Sequence, residues 1–405
     1  MEQIIHSFLD TDLYKFSMGQ LAMRKYGDAN VEWKFVCRNK DVHFTPEMVE
    51  EIKRQIALYC QLEFKKEELD YLSSIKWLDK GYISFLAVWH PMLEHFIINT
   101  EAECGLNIRT VGPWFLTIYY EIPVLSIVNE VYFHFQYSSR YAEIEESALS
   151  RARKKIADLG SGRYTVGNFS EFGTRRRLNY DIQLKIIRMF KEADLNHQLG
   201  ASSFGGTSNV YIAMQENLKA IGTMAHEVFM VTGQGYPERN PAYSNKFVMD
   251  DWHDLYGIQL GIALTDCITT DCFLLDFDVK NATLFSGVRH DSGDPIEWGE
   301  KMIAHYKKLG INPLHKTLLF SDSLDFARAD TIYRHFKDRT RVAFGIGTFL
   351  VNDTCVPPLN IVMKTVKANG VPVVKISDSI GKGIGENKAY EEYLQRAINW
   401  RLGRY

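Results

Sequence analysis

Three successive arginines, Arg175-Arg176-Arg177, follow Glu171-Phe172-Gly173-Thr174. Such a run is most often a solvated helix start. Placed after a short apolar run opened by glycine, however, a planar guanidinium suits a two-pronged grip on phosphate or carboxylate, and Arg175 is the candidate for it. His226 lies between Ala225 and Glu227, after Gly222-Thr223-Met224. A lone histidine is usually a surface or satisfied core residue. Here a neutral imidazole could serve as base or nucleophile, and a phosphorylated one would be a labile intermediate. The densest polar cluster is Arg289-His290-Asp291-Ser292-Gly293-Asp294-Pro295. Asp294 reads as a helix cap, which leaves Asp291 for Mg²⁺-bound phosphate oxygens or a sugar hydroxyl and Arg289 for an anion. Asp266 and Asp322 each end a similar unit. Several carboxylates converging on one mouth would repel unless a metal or polyol sat among them. Phe204 to Asn209, with Thr207 and Ser208, and Phe344 to Thr348, with Gly345 and Gly347, are small-residue turns that let backbone N–H groups approach a ligand. Neither has the strict phosphate-loop or dinucleotide spacing, and packing is the plainer explanation of each glycine taken singly.

These residues share a context. From about residue 165 to 350 a short apolar run repeatedly ends in Gly, Ser, Thr, Asp, His or Arg, and a helical segment follows. Seven such run-ends occur, at Phe172, Phe204, Gly222, Ala263, Val288, Leu319-Phe320-Ser321 and Phe344. Polar groups gathered after consecutive parallel strands are how a (β/α) barrel builds a site on its C-terminal face, and phosphates often bind after its last strands. An open doubly wound sheet is the runner-up. One helix is well delimited: Asp294 as N-cap, Pro295 in the first turn, Glu297 in capping-box position and Gly310 after the last turn.

The first 130 residues mix strand alternation, as in Val31 to Val36, with helical stretches such as Pro46 to Leu62, an α+β pattern. Leu359 to Ile376 reads as two strands around Asn369-Gly370, with Pro372 confining its strand to an edge. The expected organisation is therefore an α+β domain over residues 1–130 completed by 355–405, and an irregular (β/α) barrel over 131–354 carrying the site.

Bulk properties exclude other classes. The chain has 405 residues with 47 Lys+Arg against 50 Asp+Glu, a formal charge of −3 and no basic tract, which argues against a dedicated nucleic-acid binder. At 46% hydrophobic and 24% charged residues it has the composition of a folded chain with a large core. The longest apolar stretch, Gly112 to Phe135, is broken by Glu121, Pro123, Asn129 and Glu130, so no membrane span is expected. Six scattered cysteines without C-x-x-C spacing, and an N-terminus without a secretory pattern, point to the cytoplasm. The residues alone thus describe a cytosolic enzyme binding a phosphorylated, Mg²⁺-complexed small molecule at a barrel mouth.

Several segments together resemble the bacterial nicotinate phosphoribosyltransferases over nearly the whole chain. They are Asp10-Thr11-Asp12-Leu13-Tyr14-Lys15, Glu171 to Arg177, Gly206-Thr207-Ser208-Asn209, Gly222 to Glu227, Leu264-Thr265-Asp266-Cys267, Arg289 to Pro295 and Phe344 to Thr348. The resemblance implies formation of nicotinate mononucleotide and pyrophosphate from nicotinate and phosphoribosyl pyrophosphate, with Mg²⁺ and with ATP as co-substrate. It also implies a type II phosphoribosyltransferase fold and a homodimer with a shared site. In that likeness ATP phosphorylates His226, and Phe172 stacks on the pyridine ring with the partner subunit's Tyr14 on the opposite face. Arg175 and Arg289 lie near the nicotinate and phosphate anions and Asp291 near ribose or metal. Gly345 and Gly347 fit the 5′-phosphate end. Thr207, Ser208, Asp266 and Ser321 are carried over as further substrate contacts.

Related nicotinamide enzymes have aspartate where this chain has Ser208. A hydroxyl can donate to a carboxylate that an aspartate would repel, so the acid is the expected substrate. The type I signature is imitated poorly by Thr269-Thr270-Asp271. Nicotinamide- or quinolinate-using transferases, a barrel lyase or aldolase acting on a phosphosugar, and a silent phosphoribosyl-binding protein are the competing readings.

Overall fold

The computed structural model describes residues 1–378 and 386–404. Three strands precede residue 120: β1 (Asn30–Cys37), β2 (Phe96–Asn99) and β3 (Asn107–Pro113). Six follow: β4 (Asn168–Glu171), β5 (Ser203–Thr207), β6 (Ile262–Leu264), β7 (Gly287–His290), β8 (Thr317–Phe320) and β9 (Arg341–Ile346). The last two are β10 (Ile361–Ala368) and β11 (Val371–Pro372).

β4 to β9 form one parallel sheet in the order β5-β4-β9-β8-β7-β6, as repeated strand–helix units with right-handed crossovers require. Phe169 of β4 packs against Phe190, Phe204 and Phe326 at centroid distances of 5.6, 5.6 and 5.1 Å, burying the layer between sheet and helices. Six of the seven sequence units begin on a strand of this sheet. The Gly222 unit does not. Residues 219–223 make a single parallel bridge, Thr207 to Ala220, and Thr223 Oγ1 donates to Ile262 O at 2.9 Å. This segment therefore spans the gap between β5 and β6 and closes an irregular barrel. The close approach depends on Gly206, whose φ is +125° and where a Cβ would fall 2.3 Å from Lys219 O.

The remaining strands make an antiparallel sheet, β11-β10-β1-β3-β2, in which the hairpin around Asn369-Gly370 pairs with β1 from the other end of the chain. The helix predicted from Pro46 runs Pro46–Tyr59. Asp294 caps the Pro295–Lys308 helix, accepting from the Ile296 and Glu297 amides at 2.9 Å each, and Gly310 follows at φ +73°. The C-terminal stretch divides. Its strands join the antiparallel sheet as expected, but the Lys388–Arg401 helix buries Leu394 and Ile398 against Ile268 and Cys272 on the barrel side. Residues 379–385, within the 355–405 range assigned above, lie outside the described residues. No helix among the described residues is long and apolar enough to cross a membrane.

The N-terminal segment is tied to the barrel before its first long helix begins. Arg177, fully buried, reaches both Asp10 oxygens at 2.6 and 2.9 Å and Glu130 at 2.7 Å. Leu13 N donates to Ser208 O, and Val210 N to Thr11 O, both at 2.9 Å. Asp12 and Tyr14 are thereby delivered to the ends of the barrel strands.

Candidate active site

A cavity of about 700 Å³ opens where the barrel mouth faces β1 and β10. Tyr14, Phe172, Arg175, Ser208, His226, Arg289, Asp291, Ser321, Gly345 and Gly347 all line it. Thr207 and Asp266 do not. Thr207 is buried and its hydroxyl donates to Glu171 Oε2 at 2.6 Å. Glu171, whose carboxyl burial pushes up to about 7, also accepts from Gly173 N and from Gln183 at 3.2 Å. Thr207 thus shapes the turn carrying Phe172 from behind the cavity wall.

Asp266 sits behind His226. The first residue of the His226–Gln234 helix points its Nε2 at Asp266 Oδ1, 2.9 Å away, while Nδ1 faces Asp291 Oδ2 at 3.8 Å. In a neutral imidazole the Nε2 proton is therefore held by Asp266, and the free lone pair sits on Nδ1, on the Asp291 side. Burial works against the Asp266 charge, but His226 and Lys375, whose Nζ is 2.7 Å away, hold its carboxyl well below the usual range. Asp291 is kept ionised in the same way, against its burial, chiefly by Arg289. Arg289 donates to Ser321 at 2.7 Å and to Asp291 at 3.0 Å, and Ser321 donates to Asp291 at 2.8 Å. The convergence of carboxylates foreseen in the sequence is offset by these cations.

Among the described residues no group of three or more His, Cys, Asp or Glu side chains could hold a metal ion. Mg²⁺ keeps most of its shell as water and phosphate oxygen and takes only one or two carboxylates, so Asp291 on the cavity wall fits an ion carried by substrate phosphates.

Across the cavity, Phe172 is fixed by its amide, which donates to Ile346 O at 2.9 Å, and by Gly345. A Cβ at Gly345 would lie 2.2 Å from Phe172 Cδ2, and one at Gly347 2.9 Å from Phe172 O. Neither glycine has a positive φ. The space left by their missing side chains is taken by Phe172, and both still line the cavity, where the resemblance expects the 5′-phosphate.

Tyr14 lines the cavity of its own chain, at the start of the Tyr14–Lys25 helix. The Asp10–Arg177 ties bring it there from within the same chain, whereas the resemblance expects the partner subunit's Tyr14 at the ring. Ser208 lines the cavity, and its hydroxyl is 2.7 Å from Asp12 Oδ1, to which it donates when Asp12 is ionised, its proton then being engaged within the protein.

The three arginines separate in function. Arg177 is buried in the Asp10–Glu130 cluster, while Arg175 and Arg176 face the cavity. Arg176 is pushed down to about 9 by burial and by Arg175 and Arg38, and Lys364 to about 8 by burial and by Arg38. With Lys375 these groups form a cationic wall that sequence reading missed. No local motif marks it: Arg38 follows β1 and Lys364 lies on β10, and only the pairing of those strands brings them together. Asp12 and Glu121 were missed as lining residues too, although Asp12 belongs to a segment singled out for its likeness. Glu121 lies 3.7 Å from Arg175 and 2.7 Å from the buried Lys15, which also pairs with Glu227 at 2.8 Å.

Comparison with known proteins identifies relatives over nearly the whole chain. Residues 9–129 match the model of the nicotinate phosphoribosyltransferase (NAPRTase) N-terminal domain, and residues 168–401 that of the nicotinate phosphoribosyltransferase (NAPRTase) family. The chain is 40% identical to the nicotinate phosphoribosyltransferase of Ralstonia nicotianae over 402 residues, covering 98% of this chain and 99% of that one. It is 42% identical to that of Ectopseudomonas mendocina over 404 residues, covering 98% and 97%. Among solved structures, a nicotinate phosphoribosyltransferase of Vibrio cholerae superposes with a TM-score of 0.90 at 34% identity, covering 98% of this chain and 94% of that one. A putative nicotinate phosphoribosyltransferase of Saccharomyces cerevisiae gives 0.89 at 33%, covering both chains fully. With two family models matched across most of its length and full-length relatives at this identity, the chain belongs to the nicotinate phosphoribosyltransferase family.

Proposed function

We propose that this protein joins nicotinate to the ribose of phosphoribosyl pyrophosphate, giving nicotinate mononucleotide and pyrophosphate, with ATP hydrolysis coupled through phosphorylation of His226. This would be the first step of NAD salvage from nicotinate. The observation that carries the reading is His226, backed by Asp266 at 2.9 Å and lining one cavity with Phe172, Tyr14, Arg175 and Arg289.

In the coupling step the Nδ1 lone pair attacks the γ-phosphorus of ATP. An N–P bond forms, the bond to the bridging oxygen breaks and ADP leaves, while Asp266 holds the Nε2 proton and stabilises the charge on the ring. Water later cleaves the N–P bond and releases phosphate. In the transfer step the pyridine nitrogen attacks C1 of the ribose as the bond to pyrophosphate breaks, through a transition state of oxocarbenium character. Phe172 and Tyr14 align the ring, Arg175 takes the nicotinate carboxylate, and Arg289 and the wall of Arg38, Arg176 and Lys364 receive phosphate charge. Mg²⁺, when bound, would neutralise part of the charge on the leaving pyrophosphate, with Asp291 as its protein contact.

A homodimer and a cytoplasmic location complete the reading, the latter supported by six unpaired cysteines. Incubation with nicotinate, phosphoribosyl pyrophosphate, Mg²⁺ and ATP should give the mononucleotide together with ADP and phosphate. Product only with nicotinamide or quinolinate would replace the substrate assignment. Indifference to ATP and to the pyrophosphate donor would overturn the reaction.

A further inference from the structure

The proposed function leaves one charge unaccounted for. Nicotinate carries a carboxylate into a pocket where Asp12 is already a carboxylate, buried and lining the same wall as Arg175 and Ser208. Four polar or charged groups face Asp12. Tyr14 lies on its own segment, Ser208 follows β5, Arg175 sits in the Thr174–Arg176 turn, and Glu121 begins the Glu121–Gln136 helix. Glu121 is paired with the fully buried Lys15 at 2.7 Å, a cation it shares with Glu227. Arg175 is thus the cation set against Asp12, and it cannot match both Asp12 and an incoming carboxylate. Two carboxylates sharing one site do not both stay ionised.

The hydrogen bond between Asp12 and Ser208 shows where the proton would go. With Asp12 ionised, the Ser208 proton points to Asp12 Oδ1 across 2.7 Å, and the hydroxyl offers lone pairs to the cavity. That suits an amide N–H and opposes a carboxylate. With Asp12 protonated, the bond reverses: Asp12 donates to Ser208 Oγ, and the hydroxyl proton is freed to donate to the substrate.

We propose that nicotinate binds together with one proton, taken from solvent onto Asp12, and that the resulting reversal of the Asp12–Ser208 hydrogen bond makes the pocket select the acid over the amide. This rests on the proposed function and makes Asp12 a specificity-determining residue of that site. Burial, which raises the Asp12 pKa, acts in the same direction.

The test measures the kcat/KM for nicotinate at saturating phosphoribosyl pyrophosphate and ATP from about pH 6 to 9, and the Ki of nicotinamide as a competitor over the same range. Proton uptake predicts that nicotinate loses up to about tenfold in kcat/KM per pH unit on the alkaline side, relative to a nicotinamide Ki that does not rise. Protonation of catalytic groups or of the sugar donor enters kcat/KM but not a competitor's Ki, and it persists in Asp12→Asn, so the slope assigned to Asp12 is the part that this variant removes. Asp12→Asn, which cannot titrate, should flatten the ratio. A wild-type ratio independent of pH overturns the proposal, and so does an unchanged slope in a folded Asp12→Asn protein. If that variant does not fold, the ratio of the wild-type Kd values for nicotinate and nicotinamide, measured by titration calorimetry without ATP over the same pH range, decides. Failure to form the mononucleotide at any pH would instead sink the reaction itself, so the two failures are distinguishable.

Discussion

At the scale of single residues, the chemistry depends on which imidazole nitrogen keeps its proton. Asp266 settles this from behind the cavity wall, and Lys375 keeps Asp266 ionised without touching the ring nitrogens. Asp266→Asn leaves an acceptor oxygen but removes the charge that supports a positively charged or phosphorylated ring. We expect it to slow ATP-coupled turnover by about a hundredfold, the size of a typical proton-handling contribution, with the KM for nicotinate nearly unchanged. Steady-state kinetics with separate measurement of acid-labile phosphate on the protein would check this. Wild-type labelling in the variant would show that Asp266 does not act through His226. Most of these side chains were legible in the sequence because they sit in short polar bursts after apolar runs. What stayed hidden was direction. Ser208 could be seen to be a hydroxyl, but not that Asp12, 196 positions away, already accepts its proton.

At the scale of elements, two glycines of the β9 turn show that small residues at a strand end can be required by packing as well as by a ligand. The Phe172 ring and carbonyl occupy the space a side chain at Gly345 or Gly347 would need. Gly345→Ala places a methyl group inside the ring's present position, and the ring must move. The expected result is a stability loss of about 1–3 kcal/mol, typical of overpacking, together with a severalfold higher KM for nicotinate. Chemical denaturation and initial rates would measure the two effects. A variant that lost stability but kept its KM would mean that Phe172 does not order the pyridine ring. Six of the seven strand–turn units were readable because buried parallel strands leave continuous apolar runs. The seventh, residues 219–223, ended an apolar run in the same way but is held by one bridge to Thr207 and by side-chain hydroxyls of Thr223 and Ser17 and is not a ladder strand, a difference that periodicity does not carry.

At the scale of the whole molecule, the division into barrel and α+β unit followed from periodicity, including the return of the C-terminal hairpin to the N-terminal sheet. The docking of the Lys388–Arg401 helix on the barrel did not, since an amphipathic helix does not name the surface it will cover. If the Tyr14 that lines the cavity of its own chain is the one that serves it, activity should not depend on a partner for that side chain. Specific activity is expected to stay constant, within about twofold, on dilution through any dimer dissociation seen by sedimentation. A loss of activity that tracks dissociation would show that another chain completes the site.

The pairing of β1 with β10 also sets a timetable for biosynthesis. Residues 30–37 leave the ribosome long before residues 361–368 exist, so the nascent polypeptide must carry an unpartnered strand edge through the synthesis of the entire barrel. Arg38 and Lys364 meet only when that late strand docks. A truncated translation product would therefore retain the imidazole and its aspartate yet lack half of its phosphate-facing wall, and would expose a surface prone to self-association.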